Sequence, residues 1–335
     1  MLNKINKIHS LTSLRLQTML KFNQDVRQRI GNVIMLYRLV DVNAPVVITF
    51  PPADHGVAES EAWSCTPWGF DFLTSQKINT ISFADIGEHF YYHSAEFVNF
   101  IELLAQELVI FPQRLGYGVS KGGFGVSLHA DRLGLDRALL MMPLSTFNDK
   151  KAPWDSAAIR ASKAVDCSSP LNDSCRCQTP LTIIFDPLNP RDRRQAVRFR
   201  STSVSLKLPG VGHRIPRALQ ELGLLKKLVL DFIHNRLDTD AFPGQVRKRR
   251  TLSVYYRNLL SNPTQKLTFK RKIVLYYHKL NLQLANIEDE PARILCRIKQ
   301  SLRKRKYLVE KCHIQLQHVI AERQLALCTA MVFCL

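Results

Sequence analysis

Residues 114–124, Arg-Leu-Gly-Tyr-Gly-Val-Ser120-Lys-Gly-Gly-Phe, decide how the rest of the chain is read. The apolar run Leu115–Val119 reads as a buried strand, and Phe124–Leu133 reads as a helix. Between them, Gly118-Val-Ser120-Lys-Gly122 fits G-x-S-x-G. The pentapeptide alone says little, because small residues are common; the context says more. A strand that turns directly into a helix at a serine needs small neighbours, so that the hydroxyl can stand exposed at the apex. Gly116 and Gly123 suit the same crowding.

Outward from this turn the chain alternates short apolar runs with helical stretches. Val33–Leu39, Val46–Phe50, Thr80–Phe83, Ala138–Met142, Leu181–Phe185 and Val204–Leu208 read as strands. Ser94–Phe111 carries Phe97, Phe100, Ile101, Leu104 and Leu108 at helical spacing, and Ile215–Asn235 reads as a closing helix. Strands that are apolar throughout, interleaved with helices, predict an α/β fold: a mostly parallel sheet covered on both faces. Sites on such sheets lie at the C-terminal strand ends. Residues 1–32 read as an N-terminal helical segment and 33–240 as the α/β domain. Within it, 143–180 lacks periodicity and reads equally as a cap or as a surface loop.

The serine needs a base. His213 follows the last expected strand in Leu208-Pro-Gly-Val-Gly-His213, and the chain order serine, acid, histidine is the one expected where a G-x-S-x-G elbow carries the nucleophile. The acid is expected after Leu181–Phe185, where Asp186 and Asp192 are both candidates. Asp192 is favoured because its loop is long enough to return towards His213, although it also suits a helix cap. An oxyanion hole needs two backbone N–H donors. Lys121 supplies one. The other should come from the loop after Phe50, where Pro51 and Pro52 have no N–H and Ala53 is the first available donor. Asp54, His55, Tyr91, Tyr92 and His93 read first as surface or packing residues and second as a lining of the site, with His55 and Tyr92 as the substrate-lining candidates.

Charge is unevenly distributed. The 335 residues carry a net +19. Gln245–Leu335 holds 19 Lys+Arg against 5 Asp+Glu, which is +14 of that total. This stretch, 245–335, reads as a basic helical C-terminal region. It is suited to a polyanion or an anionic membrane surface, with nucleic acid less favoured for want of a recognised motif, or it is simply a solvated basic face. The eight Cys show no ligand spacing for zinc, and neither a metal nor another cofactor is expected. No apolar run reaches the ~20 residues that span a bilayer; a cytoplasmic chain with reduced thiols is the simplest expectation, with association to a membrane surface as the alternative.

Gly118–Gly123, Leu181–Asp192 and Pro209–His213 together resemble the α/β-hydrolase superfamily over about Val33 to Asn235. The wider run Phe50 … Trp68-Gly-Phe … Phe90-Tyr-Tyr … Gly116–Gly123 resembles hydrolase-like proteins found with bacterial surface-polysaccharide genes. The superfamily implies a serine nucleophile, a histidine base, an acidic partner and no cofactor. The expected activity is a serine hydrolase or acyl transferase acting on a small-molecule or glycan ester, such as acylated polysaccharide. Two departures stand out: Lys121, where an apolar residue is common, and the double proline. Lys121 beside the nucleophile favours an acidic substrate. The prolines leave open a non-catalytic domain that binds or scaffolds.

Overall fold

The structure is a computed structural model and describes residues 20–53, 55–87, 93–161, 169–261 and 267–281. Two compact units divide the chain, Met1–Lys272 and Ile273–Leu335. In the second, residues 273–281 are helical.

The first unit is built on one eight-stranded sheet of order β1-β2-β4-β3-β5-β6-β7-β8. Its strands are β1 (Asp25–Ile30), β2 (Val33–Arg38), β3 (Val46–Phe50), β4 (Asn79–Asp85), β5 (Arg114–Val119), β6 (Arg137–Met141), β7 (Leu181–Phe185) and β8 (Thr202–Lys207). Strands β3 to β8 pair in parallel, and the antiparallel β1–β2 hairpin joins the sheet through β2 on β4. The helices are α1 (Phe70–Ser75), α2 (Ala95–Glu107), α3 (Lys121–Leu133), α4 (Ser156–Ala161), α5 (Pro190–Ala196), α6 (Ile215–Glu221), α7 (Leu225–Ile233), α8 (Phe242–Gln245) and α9 (Ser253–Ser261).

Side chains alternate between the two faces of each strand, and both faces are covered. Along β3, Val46, Ile48 and Phe50 join one apolar cluster with Phe97, Ile101 and Leu104 of α2 and Val126, Ala130 and Leu133 of α3. Val47 enters the opposite cluster, with Leu115, Tyr117 and Val119 of β5 and Ala218, Val229 and Phe232 of α6 and α7. Strands buried on both sides have no polar face to show, which is why they read as continuous apolar runs. Phe242, Val246, Leu252 and Val254 are buried in this second cluster. The compact unit therefore continues past the Arg247–Arg250 basic run.

Two expectations need correction. Within 1–32, the segment read as helical, Asp25–Ile30 is an edge strand; residues 1–19 lie outside the described residues. Asp25-Val-Arg-Gln-Arg-Ile30 is half exposed, and its hairpin turns at Gly31, whose φ is 54°. Pairing with the largely buried β2 along its whole length, closed by the Arg38–Asp25 ion pair, sets this stretch as a strand. The closing helix Ile215–Asn235 is two helices, α6 and α7, broken at Gly223 with φ 71°. A left-handed residue ends α6, and the N–H of Leu224 returns to the carbonyl of Leu219.

Candidate active site

Ser120 sits between β5 and α3 with φ 53° and ψ −113°. For a residue with a Cβ this is a strained conformation, of order 1–3 kcal/mol, and such strain gathers at functional sites. The surrounding glycines explain how the turn closes. A Cβ on Gly118 would lie 2.5 Å from the carbonyl oxygen of Gly122, and one on Gly122 would lie 2.2 Å from the carbonyl oxygen of Phe50. The second contact brings the start of α3 against the end of β3. The elbow is pinned by the N–H of Ser120 donating to Met141 O at 3.0 Å and by the N–H of Leu144 donating to Ser120 O at 3.2 Å.

Asp192 comes from the β7–β8 connection and His213 from the loop after β8. Ser120 Oγ lies 2.9 Å from His213 Nε2, across 93 residues of chain. His213 Nδ1 lies 2.7 Å from Asp192 Oδ1. A carboxylate can only accept, so Nδ1 carries the proton, and Nε2 is left to accept from the serine hydroxyl. Asp192 is 2% exposed, and its Oδ2 has no hydrogen-bond partner among the described residues. Its charge is thus directed at the imidazole. The helix that carries Asp192 is itself fixed. In α5, Gln195 accepts from the N–H and hydroxyl of Ser145 at 2.9 and 2.6 Å and donates to Asp155 Oδ2 at 2.6 Å. Arg191 Nε stands 2.9 Å from Asp155 Oδ1 as an ion pair outside hydrogen-bond geometry. Through this buried network the 143–180 segment braces the acid's helix.

Asp186, the other acid candidate, does not meet the imidazole. It is 1% exposed, and its carboxylate accepts from the N–H groups of Leu188, Gly210 and Gly212 at 2.8, 2.9 and 2.6 Å. Burial raises its pKa, and the three N–H donors pull against that rise.

The structure takes Lys121 away from substrate. Its ammonium is buried and lies 2.6 Å from Asp85 Oδ2, with side chains 9% and 2% exposed. The acidic-substrate preference expected from this lysine therefore loses its basis: the charge is neutralised inside the protein. Its backbone N–H remains the first donor of α3, where the helix dipole favours negative charge. Burial raises the pKa of Asp85, and Lys121 opposes the rise. His93, at the start of the α2 connection, is pushed down to about 4, first by burial and then by Lys121. Its ring packs edge-on to Phe124 at 6.0 Å, and its Nε2 has no partner among the described residues.

Ala53 is exposed in a turn that follows the buried Pro51 and Pro52. His55 is exposed, and its backbone N–H donates to Pro52 O at 3.2 Å. Asp54, Tyr91 and Tyr92 lie outside the described residues. Among the described residues no group of three or more His, Cys, Asp and Glu is disposed to hold a metal ion, and no helix is long and apolar enough to cross a membrane. Sequence reading missed the Asp85–Lys121 pair and the Gln195–Asp155 brace, because partners 36 and 40 residues apart leave no local pattern.

Strand order, the elbow and the loop order decide the architecture. The chain has an α/β-hydrolase-like fold. No protein-family model and no curated protein matches it. Among solved structures it is similar to the capsule O-acetyltransferase of Neisseria meningitidis serogroup A, at 16% identity and a TM-score of 0.45, covering 66% of this chain and 99% of that one. It is also similar to a Pyrobaculum calidifontis esterase, at 12% identity and a TM-score of 0.45, covering 70% and 92%. An esterase/lipase from an uncultured bacterium gives 13% identity and a TM-score of 0.43, covering 68% and 90%.

Proposed function

We propose that the protein is a serine-dependent ester hydrolase or acyl transferase. The observation that carries this reading is the 2.9 Å approach of Ser120 Oγ to His213 Nε2, with Asp192 Oδ1 2.7 Å behind on Nδ1. Ser120 Oγ attacks the ester carbonyl carbon while His213 Nε2 takes the hydroxyl proton. The tetrahedral oxyanion forms at the N-terminus of α3, where the N–H of Lys121 is one donor and that of Ala53 is the candidate second. Collapse expels the alcohol, which receives the proton from the imidazolium. Water or a sugar hydroxyl then gives its proton to His213 and attacks the acyl-serine; collapse releases acid or a new ester, and His213 returns the proton to Ser120 Oγ. Asp192 holds the tautomer and stabilises the imidazolium without taking its proton. The substrates are esters of small molecules or glycans, acylated polysaccharide among them.

The test is a fluorophosphonate probe with 4-nitrophenyl acetate turnover. The parent should be labelled and the Ser120→Ala variant should not. Equal labelling of both, or none of the parent, overturns the reading.

A further inference from the structure

The loop that carries His213 is made from residues that cannot hold themselves in place. Pro209-Gly-Val-Gly-His213 follows β8, and both glycines are left-handed, with φ 87° at Gly210 and 65° at Gly212. Val211 is anchored by its side chain, buried in the apolar cluster beneath, and His213 at the loop's end is held by its ring on Asp192 and Ser120. Beside the loop lies a cavity of about 110 Å³, bordered by Asp186, Asn189, Gly210, Gly212 and Asn258. A loop beside open space is not fixed by packing alone, and its position must come from bonds to its backbone.

Those bonds come from Asp186. One carboxylate takes the N–H of Gly210 on Oδ1 and the N–H of Gly212 on Oδ2, the two amides that flank Val211. Its own backbone is set by the end of β7. The carbonyl of neighbouring Phe185 accepts from the N–H of Leu208 at 3.0 Å, which registers the loop's start against the sheet. Helix α9 meets the same two glycines. A Cβ on Gly210 would lie 2.5 Å from Tyr255 Cε2, and one on Gly212 would lie 2.8 Å from Asn258 Nδ2. Asn258 Nδ2 also donates to Gly210 O at 3.4 Å, a long bond.

We infer that Asp186 and helix α9 together clamp the His213 loop and act as positioning elements for the base. The two acids that the sequence left as rivals then divide the work: Asp192 orients the imidazole, and Asp186 orients the loop beneath it. The C-terminal segment through Ser261 becomes part of what holds the base, although it lies in the stretch that composition marks as a basic tail. The kinetic side of this inference rests on the serine-hydrolase reading; the geometric side does not.

The experiment compares the full-length parent with Asp186→Asn, Asp192→Asn and Gly212→Ala. Asp186→Asn replaces an acceptor oxygen by an amide donor facing a loop N–H. Far-UV circular dichroism checks the fold of each variant. The first readout is the downfield Nδ1 proton of His213 by NMR, assigned by its loss in Asp192→Asn. It should broaden away or move upfield in Asp186→Asn and in Gly212→Ala. The second is the rate of fluorophosphonate labelling and of 4-nitrophenyl acetate turnover. A misplacement of about 1 Å costs roughly 10²-fold, so kcat should fall ~10–10²-fold with KM nearly unchanged. A folded Asp186→Asn variant with the parental resonance and parental kcat overturns the clamp. Should Asp186→Asn not fold, Gly212→Ala decides by the same criteria. An unlabelled, inactive parent overturns the hydrolase reading alone, and the resonance still decides the clamp.

Discussion

Lys121 and Asp85 give a sharp test of what the interior beneath the elbow does. The ammonium and carboxylate meet at 2.6 Å with side chains 9% and 2% exposed. Removing one member of a pair so deeply buried typically costs ~3–5 kcal/mol, whereas replacing both by apolar groups of similar volume is often neutral or stabilising. Asp85→Leu should therefore cost about 3–5 kcal/mol in urea denaturation, because the ammonium stays buried without its carboxylate. At roughly 2 °C per kcal/mol for a unit of this size, the thermal midpoint falls by ~6–10 °C. Lys121→Met should cost less, because the stranded acid escapes by taking a proton. Burial already raises Asp85 with the lysine present, and without the lysine only a backbone hydrogen bond and His55 still oppose it. A folded-state pKa above the unfolded one gives stability that is present at low pH and lost as pH rises through the folded value. The deficit of Lys121→Met against the parent should thus shrink on acidification, while that of Asp85→Leu should not. The Asp85→Leu/Lys121→Met double variant should recover most of the loss. Additive single costs in the double variant, or single costs below about 1 kcal/mol, would refute the buried-pair argument.

Further outcomes follow from the same geometry. Asp192→Asn removes the acceptor that fixes the His213 tautomer, so kcat for 4-nitrophenyl acetate should fall about 10⁴-fold with the fold intact by circular dichroism; a loss under tenfold contradicts the assigned orientation. His93 is held near 4, below its ordinary value of 6.5, so the unfolded chain binds a proton there before the folded one does. Its contribution is complete above about pH 6.5 and is lost as pH falls towards 4, by roughly 3 kcal/mol at most. Urea denaturation of His93→Leu across that window should show a shallower decline than the parent; parallel curves argue against a buried neutral imidazole.

The sequence by itself determined the strands and the elbow. Val46–Phe50, Arg114–Val119 and Leu181–Phe185 are legible because a strand buried on both faces is mostly apolar along its length, without polar alternation. Gly118 and Gly122 are legible because only a residue without a Cβ passes the backbone crossings they make. The order of Ser120, the two acids and His213 fixed which strand ends had to meet. Tertiary structure alone decided which acid faces the imidazole. Asp186 and Asp192 lie six positions apart in the β7–β8 connection, Asp192 on helix α5, and their roles follow from where β8, the His213 loop and α9 come to rest. It also decided that Lys121 turns inward to Asp85, a partner on another strand, and that the edge strand β1 forms at all. Local sequence records propensity and burial; the choice between partners of like chemistry is made by distances that exist only once the sheet is assembled.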